Sequence, residues 1–238
     1  MKNEKILNPI SGYGMLALFL LLFAGSMTGV IGYQIHWLAS IAILSSILIL
    51  PGFFLVNPNE SKAMLLFGEY MGTVKENGFF WTNPFMVKKK ISLRAKNFDS
   101  ERIKVNDKLG NPILISGIVV WRVMDTYKAA FEVTDYESFV KVQSESALRQ
   151  LAGTYPYDNF NEGQHEITLR SAHSEVNEAL EEQLRERLQM AGLEVIEARI
   201  GYLAEAAERA SAMLRRQQAE AVGAARTKIA EGAVGMGD

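Results

Sequence analysis

The sequence predicts an α+β fold tied to a membrane. It should consist of an N-terminal transmembrane helical hairpin, a domain rich in antiparallel sheet, and a long C-terminal helix. Three observations lead there. No Asp, Glu, Lys or Arg occurs between Ile6 and Asn59, across two long apolar runs. Residues 60–123 read as short strands punctuated by turn signals, and beyond residue 125 the apolar period becomes helical. The expected divisions are 1–56 (tail and two membrane helices), 57–203 (the sheet-rich domain) and 204–238 (the last helix).

The apolar runs are residues 15–33 and 37–56, split by Gln34-Ile35-His36. Each is close to the roughly 20 residues that a helix needs to cross a bilayer core. Neither shows the recurring polar face of a soluble helix. Lys2 and Lys5 before the first run also fit a signal peptide. The second run, and the lack of a good small-x-small site before polar chain, favour a hairpin. Its turn is too short to hold a domain, so both ends lie on one side. Lys2, Lys5, Lys62, Lys75 and Lys88-Lys89-Lys90 flank those ends and the turn has no Lys or Arg, which places both ends in the cytoplasm. Gly25 and Gly29 form a small-xxx-small pair suited to close helix approach, opposite Ala39, Ser40, Ala42, Ser45 and Ser46. Tyr33 and Trp37 suit an interface, and Pro51-Gly52 should kink or end the second helix.

The chain has 238 residues, a net charge of -2 and no cysteine. That charge argues against a nucleic-acid partner. The lack of thiols excludes disulfides, thiolate metal sites and a cysteine nucleophile.

After the turn Asn57-Pro58-Asn59-Glu60, strands are expected at 63–67, 71–74, 79–81 and 91–94, with a hairpin turn at Asn77-Gly78. Phe79, Phe80, Trp81 and Phe85 read first as a packed strand core. The sharper reading is a surface dipping into the inner leaflet, with Lys88, Lys89 and Lys90 meeting anionic headgroups. Residues 97–105 form a polar strand. Residues 113–123 form the strongest one, central and buried on both faces, with Arg122 emerging toward a carboxylate. A short helix follows at 125–132. Thr134 and Glu137 suggest a capping box opening a helix to Ala152, stopped by Gly153. Ala172, Val176, Leu180, Leu184 and Leu188 mark a helix over 167–191, ended by Gly192 before a strand at 193–200. From Ala204 a long helix carries a thin stripe of Ala210, Met213 (or Leu214), Gln217, Ala221 and Ala224. Such a helix buries little alone and is more plausible beside copies of itself.

Taken together, these residues resemble the SPFH or band 7 domain of stomatins, prohibitins and flotillins. The resemblance rests on Leu65-Leu66-Phe67-Gly68, Gly78-Phe79-Phe80-Trp81, Asn83-Pro84-Phe85, Val105-Asn106-Asp107, residues 118–123, Ala147-Leu148-Arg149 and residues 192–200, closed by the Ala/Glu/Arg-rich helix. It implies an α+β SPFH fold, large ring-like homo-oligomers on membrane lipids, and a role in organising membrane microdomains. Family members often modulate a membrane protease or channel and are not generally catalytic. This chain departs from the family in having two long apolar runs and no proline opening the last helix. Its last helix is also expected to be truncated, since Met236-Gly237-Asp238 falls where family chains usually continue.

No HExxH, GxSxG, P-loop or placed GxGxxG occurs. No catalytic, cofactor-binding or metal-ligating residue is assigned, and no cofactor. His165 and His173, near Glu166 and Glu175, read as solvated polar residues, and His36 as interfacial. Asn59-Glu60-Ser61 is a glycosylation sequon made irrelevant by cytoplasmic placement. The leading expectation is a cytoplasmic-face scaffold. An accessory subunit restraining a membrane protease comes second. A membrane enzyme with a metal at His165 and His173 is remote, since metal sites need three or four converging ligands.

Overall fold

The computed structural model describes residues 4–33, 37–158, 167–171 and 173–206. Strand β1 (Ile10–Ser11) leads directly into α1 (Gly12–Tyr33). Helix α2 (Trp37–Ile49) ends in a 3₁₀ turn, Leu50–Gly52, and passes into β2 (Phe53–Val56). Then come β3 (Glu60–Leu66), β4 (Glu69–Val74), β5 (Gly78–Trp81), β6 (Met86–Ser92), β7 (Lys96–Asp99), β8 (Ile103–Asn106) and β9 (Pro112–Val123). A short helical turn at Lys128–Glu132 precedes α3 (Tyr136–Thr154), α4 (His173–Gln189) and β10 (Leu193–Glu205). The sheets run β1-β5-β2, β4-β3-β6 and β10-β9-β7, with β8 also paired to β9. The chain forms two compact units. One comprises 1–96, 121–139 and 187–196; the other comprises 97–120, 140–186 and 197 onward.

In the first unit, β1 and β2 both pair antiparallel with β5, and β4 and β6 both pair antiparallel with β3. Its small core is Phe54, Val56, Met64 and Val74, with Leu7, Met71, Phe80 and Met86 packed against it. Alternation puts Phe54 and Val56 on one face of β2, the face that joins this core. Phe67 and Gly68 join β3 to β4, with φ of 49° and 88°. Leu66 lies opposite Glu69, so this is a two-residue hairpin whose twist requires left-handed backbone at both positions. Arg122 meets Glu194 at 2.5 Å, the carboxylate expected from the sequence.

In the second unit, Ile113, Ile115 and Val119 of β9 are fully buried, as are Leu148, Leu151 and Ala152 of α3. Gly117 is tight against this helix, since a Cβ there would sit 3.0 Å from Leu148 Cδ2. Val176, Leu180 and Leu184 along α4 are likewise fully buried; Leu188, which falls in the first unit, is too, giving the stripe that the leucine spacing predicts. Asn177 Oδ1 accepts from the Ile200 N–H at 3.0 Å.

Several expectations are corrected. The second helix ends by Gly52, as Pro51-Gly52 predicts, but the span does not reach Val56: Phe53–Val56 turns to strand. Residues 97–105 form two strands, broken at Ser100-Glu101-Arg102. The second face of β9 is only half-buried, at Leu114, Ile118 and Val120. The cap of α3 is Asp135, not Thr134: its carboxylate takes the Glu137 N–H at 3.0 Å and the Ser138 hydroxyl at 2.6 Å. Glu137 instead pairs with Lys96. Helix α3 passes through Gly153 to Thr154. Helix α4 starts at His173, because Thr168 Oγ1 accepts from the Ser171 N–H and closes a turn ahead of it. Strand β10 runs to Glu205, so Ala204 and Glu205 are strand. The expected helix beyond them lies outside the described residues, as do Gln34-Ile35-His36, His165, Glu166 and Ala172.

Candidate membrane interface

Helix α1 is about 33 Å long at 1.5 Å per residue, enough for the hydrocarbon core. Gly12–Ile31 is long and apolar enough to cross a membrane. Trp37–Gly52 is apolar but shorter. The two helices meet where Gly29 leaves room for Leu38; a Cβ on Gly29 would fall 2.1 Å from Leu38 Cδ1. Gly25, its partner in the small-xxx-small spacing, has nothing within 4 Å. Ser26, Gly29 and Ala42 are among the buried small residues of the pair. Many of the other apolar side chains, among them Leu21, Ile31, Ile43, Leu44 and Ile47, are exposed, as lipid-facing residues are.

The hairpin is fastened to the head by one strand. Ser11, entering α1, and Phe54, leaving α2, lie opposite the same residue of β5, Phe80. Entry and exit are therefore on one side of any bilayer that the hairpin enters. Phe79 stacks on Phe53 at 5.3 Å and meets the edge of Tyr13 at 5.4 Å. Gly12 fits under it, where a Cβ would lie 2.5 Å from the Phe79 ring.

The last turn of a helix leaves carbonyls without intrahelical donors. Here each finds one. Ile49 O accepts from Trp81 Nε1 at 2.9 Å, and Leu50 O from the Phe53 N–H. Pro51 O accepts from Lys88 Nζ at 2.9 Å, and Gly52 O from the Thr82 N–H at 3.0 Å. The Lys88 charge also complements the negative end of the helix dipole. Trp81 and Lys88 thus act as caps supplied from more than 30 residues away, which no local pattern announces.

The arm before α1 is fastened too. Thr73 N–H donates to Lys5 O at 2.7 Å, and Leu7 N–H to Thr73 O at 2.9 Å. Glu4 accepts from Lys75 at 2.8 Å and from the Thr126 hydroxyl at 2.5 Å, and the Thr126 hydroxyl lies 2.8 Å from that of Thr73. Partial burial pushes the Glu4 carboxyl up, but bonds from Lys75 and Thr126 outweigh it and hold the group below the usual range. A folded pKa lowered in this way stabilises the docked arm above the ordinary carboxylate pKa, and that support fades as pH falls through the lowered value. Glu4→Gln should free the arm about tenfold, at the scale of one charged hydrogen bond, about 1.5 kcal/mol. Trypsin cleavage after Lys5 would rise; an unchanged rate would show that Glu4 does not hold the arm.

Beside the anchor, Thr82 leads through Asn83-Pro84 to Phe85. Phe85 is 61% exposed and stacks at 6.2 Å on Phe67, which is 86% exposed at its left-handed turn. These two rings, Phe85 lying three residues beyond the Thr82 contact with Gly52, form an aromatic tip at the turn after β3. Of the basic triplet, Lys90 pairs with Glu60 at 2.8 Å, and Lys89 donates to Ala130 O while sitting 5.5 Å over Phe131. Only Lys88 reaches the hairpin. The aromatic cluster divides as well: Phe80 joins the core and Phe85 stays outside it.

Among the described residues, no group of three or more His, Cys, Asp or Glu could hold a metal. His173 opens α4, and His36 and His165 lie outside the described residues. A shallow cleft of about 610 Å³ is lined by Asp99, Arg102, Ser116 and Tyr202, with the Arg102 guanidinium 3.9 Å over the Tyr202 ring. That stacking gives Tyr202 a packing role against Arg102.

No curated protein matches the chain. The family model described as SPFH domain / Band 7 family matches residues 54–234. With an apolar N-terminal helix, antiparallel sheets and a match spanning most of its length, the chain belongs to the SPFH / Band 7 family.

Proposed function

We propose that this protein is a membrane-anchored scaffold. Copies stand side by side on the cytoplasmic face, each held by a two-span hairpin, and assemble into a ring or cage that bounds a membrane microdomain. The observation that carries the anchoring is the shared strand: entry and exit of the hairpin pair with β5, so arm and head share one side. The lysines on that side supply the orientation, by the positive-inside bias. The family supports the assembly, whose members include stomatins, prohibitins and flotillins. The reading invokes no chemistry by the protein itself.

Sizing the detergent-extracted protein tests the assembly: particles of many subunits are expected, and a monodisperse monomer overturns it. Orientation is tested with a cysteine at position 101 of this cysteine-free chain. An impermeant maleimide should label it in inverted vesicles and not in intact cells. The aromatic tip should rest in the headgroup layer. An NBD fluorophore on a cysteine at position 85 should be quenched by lipids spin-labelled near the surface. No quenching there would place the tip in water.

A further inference from the structure

We infer that Lys62 and Lys88 form a binding site for the phosphate of an anionic lipid headgroup, seated where the hairpin leaves the head. The inference rests on the membrane reading above and adds a ligand to it. Lys62 on β3 and Lys88 on β6 lie on the same face of one sheet: Lys62 is opposite Lys90, and Met64 opposite Lys88. Both ammonium groups converge on one ring, Lys62 Nζ 5.4 Å and Lys88 Nζ 5.7 Å from the Phe54 centroid. Lys88 also reaches Pro51 O at 2.9 Å, which puts the pair at the end of the membrane helix.

Two like charges so placed call for a counter-charge. Among the described residues, neither ammonium has a carboxylate partner. The nearest acid on that face in sequence, Glu60, is engaged by Lys90 and by Asn57 Nδ2 at 3.0 Å. Phe54 and the carbonyl of Pro51 offer only partial negative charge. Burial, and then the Lys62 charge, push the Lys88 ammonium below its ordinary pKa, the direction that an uncompensated pair produces. A phosphodiester with a net negative charge would give both ammonium groups charge-assisted hydrogen bonds. Its acyl chains would lie along the exposed apolar faces of α1 and α2. A free phosphate shares the head chemistry and lacks the chains, so a lipid is the occupant that fits both halves of the place.

The test uses the full chain in a neutral detergent, titrated with short-chain phosphatidylglycerol, short-chain phosphatidylcholine and inorganic phosphate, and read by native mass spectrometry. Phosphatidylglycerol should bind more tightly than phosphatidylcholine. Lys62→Gln and Lys88→Gln should each weaken it by about fivefold and the double variant by about thirtyfold, the scale of one and two lysines at a lipid surface. Lys62→Arg with Lys88→Arg should keep the preference, which guards against a glutamine variant that misfolds. Lys141→Gln, on α3, should change nothing. Equal binding of the two lipids, or a double glutamine variant that binds like the parent, overturns the site. Inorganic phosphate bound as tightly as the lipid, with the same lysine dependence, overturns the lipid assignment. Failure of the membrane reading is separate: neither lipid would then be retained by any variant.

Discussion

Asp107→Ala is expected to cost about 3–4 kcal/mol, because one buried carboxylate holds four N–H donors. Asp107 is only 4% exposed. Its Oδ1 accepts from the N–H of Leu109 at 2.9 Å and of Asn111 at 2.7 Å. Its Oδ2 accepts from Asn111 Nδ2 at 2.9 Å and from the Tyr157 N–H at 3.0 Å. The first three bonds close the turn between β8 and β9, where Gly110 takes φ 82°. The fourth ties that turn to the segment after α3, beside the Lys108 N–H on Tyr155 O. Alanine would leave donors unpaired in a place with little water, and the melting temperature should fall by about 10 °C. Asp107→Asn offers one acceptor oxygen and sets an NH2 against donors, so it should recover less than half of the loss.

The same site has a pH signature. Burial raises the Asp107 carboxyl, and hydrogen bonds from Asn111, Tyr157 and Leu109 outweigh it, so its pKa lies below the ordinary value. A depressed folded pKa stabilises the fold above the unfolded carboxylate pKa of about 3.9, and the contribution is lost as pH falls through the folded value. The parent should lose stability below about pH 4 more steeply than Asp107→Asn, which has no carboxylate there. Parallel acid limbs for the two proteins would mean that Asp107 is not an ionised hub.

Long-period and compositional features were legible from the residues alone. The charge-free stretch marks the hairpin, the β-branched run marks β9 as a central strand, and the four-residue leucine spacing marks the buried stripe of α4. Features made by distant partners were not. Residues 53–56 are apolar in the alphabet of both membrane helix and strand, and only pairing with Gly78–Trp81 makes them strand. The arm at Glu4 looks like a polar tail until Thr73, Lys75 and Thr126 arrive from far along the chain. Trp81 read as a packing residue, whereas its indole N–H is a helix cap. The lysine triplet read as one patch, but successive residues of a strand face opposite ways, so Lys89 is separated from Lys88 and Lys90. Asp107 stood within the family resemblance without a role, because its four partners need the loop at Tyr157 to be in place.

Three glycines of the apolar hairpin should rank in a steep order when replaced by alanine, and the order tests how the hairpin is fixed to the head. Gly25 has open space around it, so Gly25→Ala should be neutral or stabilising by about 0.5–1 kcal/mol, the gain of alanine inside a helix. Gly29 faces the flexible end of Leu38, which can turn aside; Gly29→Ala should cost about 1 kcal/mol. Gly52 has no such relief. A Cβ there would lie 2.3 Å from Trp81 Nε1 and 2.5 Å from the backbone oxygen of Thr82. The indole would have to leave the Ile49 carbonyl, and the Thr82 N–H would be drawn off Gly52 O. Two of the four carbonyls that end α2 would lose their donors in an apolar setting, at about 1–3 kcal/mol each. Adding the overpacking, Gly52→Ala should cost about 3–5 kcal/mol and lower the melting temperature of the detergent-extracted chain by on the order of 10 °C. Trp81→Phe separates the terms. It removes the indole donor without forcing an extra carbon against Thr82, so it should cost about 1–2 kcal/mol. If Gly52→Ala melts with Gly25→Ala, the end of α2 is not seated on Trp81 and Thr82. The hairpin would then hang from β1 and β2 alone.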